Sequence, residues 1–391
     1  MRFTLPRDIY FGDNALDDLK SLKGHKAIVV TGGHAMQKYG FLEKTVSNLK
    51  EAGFEVKTFE GVEPDPTVAT VMKGAQVMRD FQPDWIVAIG GGSPIDAAKA
   101  MWIFYEYPDA NFDDIVAGKF PILRTKARFA AIGSTSGTGT EVTAFSVITD
   151  PDKGIKYPLA NYEITPDVAV VDPALPMSMP KNQVAWTGMD ALTHAVEAYV
   201  STFASDFADP LSLKAAKMVN DNIVASYYGD PQARANMHYA QCIAGMAFSN
   251  ALLGITHSLA HKTGAAFSTG HVPHGCANAM YLPHVIECNA HDSRAHQRYA
   301  QISEYLGLGG YGEDGRVKKL IERVRELDRV LNIPHGLQEF GVKEDEFLAK
   351  CSEIAHNAVL DACTPENPRH MNDELMENVL KCCYYDKVVN F

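Results

Sequence analysis

Asp190 and His194 lie four residues apart in Gly188-Met189-Asp190-Ala191-Leu192-Thr193-His194-Ala195-Val196-Glu197. The stretch reads as helix, so the two side chains share one face and can chelate one cation. A helix that merely carries a polar stripe would look the same. The later histidines change the balance. Of 14 in the chain, five fall between positions 257 and 284: His257, His261, His271, His274 and His284. His257 and His261 repeat the spacing of four. His274, between Pro273 and Gly275, reads as a fixed turn presenting an imidazole. One carboxylate with several imidazoles suits Fe(II) or Zn(II), not calcium or magnesium. On chemistry alone this is a metal site whose histidine ligands are not yet singled out.

Two glycine-rich turns carry a different chemistry. Residues 86–89 read as strand and run into Gly90-Gly91-Gly92-Ser93-Pro94-Ile95-Asp96-Ala97-Ala98-Lys99. Glycines let a ligand approach the backbone, and the free N–H groups of the helix start suit a phosphate. The third position of the usual dinucleotide fingerprint holds Ile95, and no glycine precedes Lys-Ser or Lys-Thr, so this is no P-loop. A tight strand–helix turn without a ligand reads alike. Ser134-Thr135-Ser136-Gly137-Thr138-Gly139-Thr140-Glu141 adds a second such turn after a strand. In a doubly wound sheet these turns gather at the carboxyl edge, where ligands bind.

The elements that must position these groups follow two grammars. Strand-like runs at 26–31, 54–59, 85–89, 129–132 and 168–171 alternate with helical stretches at 42–52, 67–81 and 94–105. That pattern predicts an α/β domain with a parallel, Rossmann-like sheet covered on both faces, over residues 1–180. Beyond it the apolar residues recur at three and four spacing, near 187–200, 210–227, 233–253, 293–306, 315–331, 344–358 and 372–386. Residues 181–391 are therefore expected to be all-helical and to carry the metal site.

The chain has 391 residues, 46% hydrophobic and 21% charged, with a formal charge of −12. Such a composition is that of a globular protein and leaves no broad basic face for nucleic acid or anionic membrane. The seven cysteines are irregularly spaced with no Cys-x-x-Cys pair, which predicts reduced thiols and a cytoplasmic setting. Residues 1–8 lack the apolar core of a signal peptide, and no apolar run is long enough to span a membrane.

Together these segments resemble the iron-containing (group III) alcohol dehydrogenase family, which includes butanol dehydrogenases, 1,3-propanediol dehydrogenase and lactaldehyde reductase. The matching stretches are Gly90 to Asp96, Ser136-Gly137-Thr138 to Glu141-Val142-Thr143, Thr187 to His194, Ala247-Phe248-Ser249-Asn250 through His261, Pro273-His274-Gly275, and Cys363-Thr364-Pro365-Glu366-Asn367-Pro368-Arg369. They run through nearly the whole chain. The resemblance implies a metal, Fe(II) or alternatively Zn(II), held by Asp190, His194, His257 and His274. It implies that His261 is an active-site histidine beside the ligands, placed to relay the alcohol proton. His271 competes with His274, because the segment before Pro273 looks longer than in lactaldehyde reductase; only His274 sits in the Pro-His-Gly match.

The resemblance also implies that Gly91, Gly92, Ser93 and Asp96 form the loop for a nicotinamide cofactor's pyrophosphate. Ser134, Thr135, Thr138 and Lys156 would lie along that cofactor, and Phe248, Leu253 and Cys363 would line the substrate pocket. NAD-preferring members carry an aspartate just after the first strand, where this chain has Gly32 and Gly33. Without that carboxylate nothing repels a ribose 2′-phosphate, so NADP(H) is expected over NAD(H), and a Gly32→Asp change should weaken NADP(H) binding.

The implied reaction is hydride transfer between NAD(P)(H) and a small, uncharged primary alcohol or aldehyde in an interdomain cleft, by a homodimer or higher homo-oligomer. Two alternatives stand beside it. A lyase of the dehydroquinate-synthase type shares the architecture, but its phosphorylated acid substrate needs clustered Lys and Arg, and the metal segments offer Lys262 and little else. A non-catalytic binding protein that kept the fold would predict a broken ligand set.

Overall fold

The computed structural model describes residues 2–151 and 155–391. The chain divides into two compact units, Met1–Ser178 and Met179–Phe391. The first holds strands β1 (Asp8–Phe11), β2 (Lys26–Gly32), β3 (Glu55–Val62), β4 (Trp85–Gly90), β5 (Arg128–Gly133), β6 (Phe145–Asp150), β7 (Ile155–Ala160) and β8 (Val168–Val171). Its helices are α1 (Ala35–Lys38), α2 (Phe41–Glu51), α3 (Val68–Phe81), α4 (Gly92–Glu106) and α5 (Phe112–Val116).

Six strands form one sheet in the order β1-β8-β5-β4-β2-β3, with every pairing parallel. Every residue of β4 is buried, as a strand covered on both faces requires. The chain winds outward from β2 to β3 and, in the other direction, from β4 through β5 to β8. The carboxyl ends of β2 and β4 therefore flank the switch point, where doubly wound sheets bind ligands. Helix α4 follows β4 directly, and nearly all of it from Pro94 onward is buried.

Strands β6 and β7 pair antiparallel as a separate two-stranded sheet. The sequence pattern does not announce this hairpin or the short β1. Lys156 of β7 is paired with Asp65 at 2.6 Å and Pro158 interrupts the alternation, so β7 shows no apolar run.

The second unit contains α6 (Lys181–Val200), α7 (Asp209–Tyr227), α8 (Pro231–Ala251), α9 (Ile255–Thr263), α10 (His274–Asn289), α11 (Ser293–Leu306), α12 (Gly312–Val330), α13 (Leu337–Phe340), α14 (Glu344–Val359) and α15 (Asp373–Tyr385). Among the described residues this unit has no strand, matching the all-helical expectation. Some helix starts carry side-chain caps: Asp230 accepts from the Ala233 N–H at 2.7 Å ahead of Pro231, and Asp292 from Ala295 at 2.9 Å. The flanking Pro273 and Gly275 predict a turn at His274, but the structure begins α10 there, with Pro273 as its cap. Pro283 inside α10 and the polar residues of its first turns hide its helical periodicity. No single helix among the described residues is long and apolar enough to cross a membrane.

Candidate metal centre and cofactor loops

Helix α6 presents Asp190, His194 and Glu197 at helical spacing, all buried. Helix α9 adds His257 and His261, and α10 adds His274 as its first residue. The ligand atoms of Asp190, His194 and His257 all lie within 4.8 Å of one another. His274 stands outside that group of three but brings its Nε2 to 3.6 Å from Asp190 Oδ1, beside His257 Nε2 at 3.7 Å. Gly275 explains how α10 comes so close: a Cβ there would collide with the Trp186 carbonyl oxygen of α6. His271 is exposed, on the turn before α10.

The surrounding polar groups fix the rings. His257 Nδ1 donates to Glu197 Oε2 at 2.6 Å, which turns Nε2 toward Asp190. Glu197 also accepts from the Thr256 N–H at 2.7 Å, at the start of α9. Asn278 Nδ2 donates to Asp190 at 2.8 Å and lies 3.2 and 3.1 Å from the Nε2 atoms of His257 and His274. Burial opposes charge on His257, but Asp190 and Glu197 outweigh it and raise its pKa to about 9. Burial likewise works against the Asp190 carboxylate, yet His194 and the other imidazoles hold it well below its ordinary range. Burial drives His274 the other way, well down, against the pull of Asp190. A buried carboxylate facing several imidazole nitrogens is a donor set that accepts a divalent cation in place of protons.

His261 neighbours this cluster, its ring stacked on His274 with centroids 5.4 Å apart. Its Nδ1 faces Asp361 at 3.1 Å, and Asp361 also takes Lys262 Nζ at 2.8 Å. Burial raises the Asp361 carboxyl, but His261 and Lys262 overcome it and keep it strongly acidic. Cys363 donates its N–H to Asp361 at 3.1 Å and, with Asp361, brings its polar atom near His261. Burial pushes the Cys363 thiol well up, so it stays protonated. Phe248 stacks on His194 with centroids 4.2 Å apart, and Leu253 is buried. The motif from Cys363 to Arg369 works as a clamp. Asn367 exchanges two 2.8 Å hydrogen bonds with Asn289 and accepts from the Ile255 N–H at 3.3 Å, while Thr364 bonds Ser258 at 2.8 Å.

In the first unit the two glycine turns lie side by side, because Gly90 and Gly133 are register partners in β4 and β5. Ser134 N donates to the Gly90 carbonyl at 2.8 Å. Gly91 and Gly92 face Thr135 and Thr138, whose methyls stand 3.2 and 3.3 Å from where a Cβ would be. Ser93 follows in the first turn of α4, partly exposed. Asp96 is committed within the protein: it accepts from the Thr140 hydroxyl at 2.6 Å and the Val147 N–H at 3.0 Å. Burial pushes its carboxyl up against the opposing effect of Lys99. Lys156, expected along the cofactor, is held by Asp65.

Gly32 has a structural duty at the end of β2. A Cβ there would stand 2.5 Å from the Val62 carbonyl oxygen, so the aspartate proposed for it does not fit without moving β3. Gly33, at φ +58, faces open space.

Sequence reasoning gave no role to Glu197, Asn278, Asp361 or Lys99. Glu197 was findable, seven residues after Asp190 on the same helix face; Asn278 was findable only once α10 was known, four residues after His274. Lys99 is fully buried and donates to the carbonyls of Thr140, Thr143 and Phe145 at 2.7, 2.8 and 2.9 Å. Burial pushes its pKa down to about 8, against Asp96 and Glu141. It ties the second glycine turn to α4. Asp361 lies 100 residues from its partner His261, and no local spacing reveals such a pair.

Comparison with known proteins gives a consistent picture. Residues 6–173 match the family model described as iron-containing alcohol dehydrogenase, and residues 184–384 match the C-terminal model of the Fe-containing alcohol dehydrogenase family. An NADPH-dependent butanol dehydrogenase of Clostridium saccharobutylicum is 58% identical over the full length of both chains. A bifunctional aldehyde-alcohol dehydrogenase of Escherichia coli K12 is 41% identical over 98% of this chain, which spans only 46% of that relative. Among solved structures, an iron-containing alcohol dehydrogenase from Thermococcus thioreducens is 37% identical with a TM-score of 0.91, covering 99% of this chain and 100% of that one. A 1,3-propanediol oxidoreductase is 33% identical with a TM-score of 0.90, covering 98% and 99%.

Proposed function

The chain belongs to the iron-containing alcohol dehydrogenase family, and on that premise we propose that it is a metal-dependent alcohol dehydrogenase or aldehyde reductase using NADP(H) on short, uncharged primary alcohols and aldehydes. The observation that carries this reading is the convergence of Asp190, His194 and His257, with His274 against Asp190. These four would hold Fe(II), or alternatively Zn(II). When bound, the metal supplies Lewis-acid polarisation of a carbonyl or alcohol oxygen, and the nicotinamide supplies or takes the hydride.

The chain's own groups do the rest. Glu197 holds the His257 ring with Nε2 turned inward and so pre-organises the ligand set. Asp361 accepts the Nδ1 proton of His261, which leaves Nε2 as the base that takes the alcohol proton or, in reduction, the acid that returns it. The His261 side chain is 19% exposed, so the proton has a path to solvent. Phe248, Leu253 and Cys363 supply apolar or neutral surroundings. The nearby cation, Lys262, is already paired with Asp361, so it offers little to a carboxylate or phosphate substrate. That pairing also weighs against a lyase of the dehydroquinate-synthase type.

On the cofactor side, Gly91, Gly92, Ser93, Ser134, Thr135 and Thr138 would cradle the phosphates, with Asp96 holding the second turn through Thr140 rather than meeting the cofactor. The open Gly33 at the end of β2 offers no carboxylate to repel a 2′-phosphate. The 58% identical relative named as NADPH-dependent supports the same choice. The deciding experiment is an anaerobic assay with Fe(II) or Zn(II) restored, short aldehydes, and NADPH against NADH. Turnover that requires the metal supports the reading; inertness of metal-loaded protein toward the whole aldehyde panel refutes it. We also read the protein as a cytoplasmic homo-oligomer. None of its seven cysteines forms a disulfide, and sedimentation would report the assembly.

A further inference from the structure

Leu252 joins α8 to α9 at φ +62, ψ −170. This backbone region is essentially reserved for glycine, because a Cβ is crowded there. Several other non-glycine residues among those described have positive φ, but they are Asn, Asp, Gln or Arg; Leu252 is the aliphatic one. Its N–H donates to the Phe248 carbonyl at 2.8 Å and closes α8, and α9 leaves at 104° to α8. A glycine would make the same corner without strain.

A strained leucine needs something its side chain does. Core packing is not that role. The apolar core of this unit draws on α8 and α9 as well, through Met237, Ala240, Ala244, Ile255, Leu259 and Ala260, yet among the described residues Leu252 is neither part of that cluster nor packed against it, and the buried Phe248 and Leu253 also lie outside it. Leu252 itself is half-buried. The three apolar residues sit instead at the corner next to the metal cluster: Phe248 lies on the His194 ring, and α9 carries His257 two residues after its start.

We propose that Leu252 is a specificity-determining residue, whose side chain, held on a glycine-type backbone, completes with Phe248 and Leu253 an apolar wall that limits the length of the alcohol or aldehyde. The proposal rests on the dehydrogenase reading above and adds a residue to it. Shortening the side chain opens the wall, and glycine also relieves the strain.

The test compares wild type, Leu252→Gly and Leu252→Ala, each metal-loaded. The measurements are melting temperature and kcat/KM for butanal and octanal with NADPH. Glycine usually lowers stability relative to alanine; here Leu252→Gly should melt above Leu252→Ala. In both variants the octanal-to-butanal ratio should rise about 10-fold or more, the scale on which apolar pockets discriminate added methylenes. An unchanged ratio overturns the specificity role even if the melting order is reversed, and alanine melting above glycine overturns the strain on which the argument stands. A wild type inert toward both aldehydes would instead overturn the dehydrogenase reading, and this proposal with it.

Discussion

At the scale of single residues, the centre is a set of acceptors whose orientation is enforced from behind. His257 cannot rotate while Glu197 holds Nδ1, so Glu197→Gln should lower Zn(II) affinity by about 10–100-fold, read by competition with a chromophoric chelator. His257→Ala and His274→Ala should lose most of the metal, and exposed His271→Ala should keep it; metal analysis of the purified variants checks this, and loss in His271→Ala alone would reassign the ligand. Cofactor choice is also a residue-scale question. Gly33→Asp puts a carboxylate at the end of β2 at a φ that aspartate tolerates. It should cost NADPH about 1–3 kcal/mol relative to NADH, measured as the ratio of kcat/KM values. Gly32→Asp should mainly destabilise the protein, because the Val62 carbonyl blocks it. A wild type that favours NADH would sink the phosphate reading. Residue type and spacing made a metal site among Asp190, His194 and the later histidines legible, while the choice of His257 and His274 over His261 and His271 came only from the family resemblance. Asp361 was not legible, because its role comes only from a distant fold contact.

At the scale of elements, α4 is anchored at its middle and its end by buried charge. At mid-helix Lys99 gathers the 140–145 segment; at its end Glu106 accepts from the N–H groups of Thr125, Lys126 and Ala127 and from Trp102 Nε1. Burial alone would raise the Glu106 carboxyl, but these donors win and hold it below its ordinary value of 4.5. The folded form therefore prefers the carboxylate. Its contribution is fully present above pH 4.5 and is lost as pH falls through the lower folded value. Glu106→Gln should cost about 1–3 kcal/mol at neutral pH, and the difference from wild type should shrink in acid; urea titrations at several pH values measure it. The alternation of strands and helices in the first unit was readable because buried parallel strands are continuous apolar runs. The β6–β7 hairpin and α10 were not, because Pro158, Lys156 and Pro283 break the periods that announce such elements.

At the scale of the whole molecule, the two units offer separate handles on stability. The four candidate ligands come from α6, α9 and α10, so metal binding should stabilise Met179–Phe391, whereas NADPH should stabilise Met1–Ser178. A ligand at a hundredfold excess over its Kd adds about 2.7 kcal/mol to the unit that binds it. Hydrogen exchange with chelator, with restored metal and with NADPH should show the ligands acting independently on the protection of the two segments. A chelator that left α6, α9 and α10 as protected as before would argue against a metal held there.

The clamp of Asp361 and Asn367 on α9 gives the candidate metal centre an order of birth. A ribosome delivers Asp190, His194, His257 and His274 long before it delivers residue 361. A nascent chain thus holds every candidate ligand while His261 still lacks the carboxylate that sets its proton and α9 still lacks Asn367 at its first turn. The last candidate ligand and the carboxylate proposed to set the His261 proton are separated in synthesis by nearly 90 codons. An ion taken up early would sit beside a histidine whose tautomer is not yet chosen, and the centre would become competent for proton transfer only when the late segment docks.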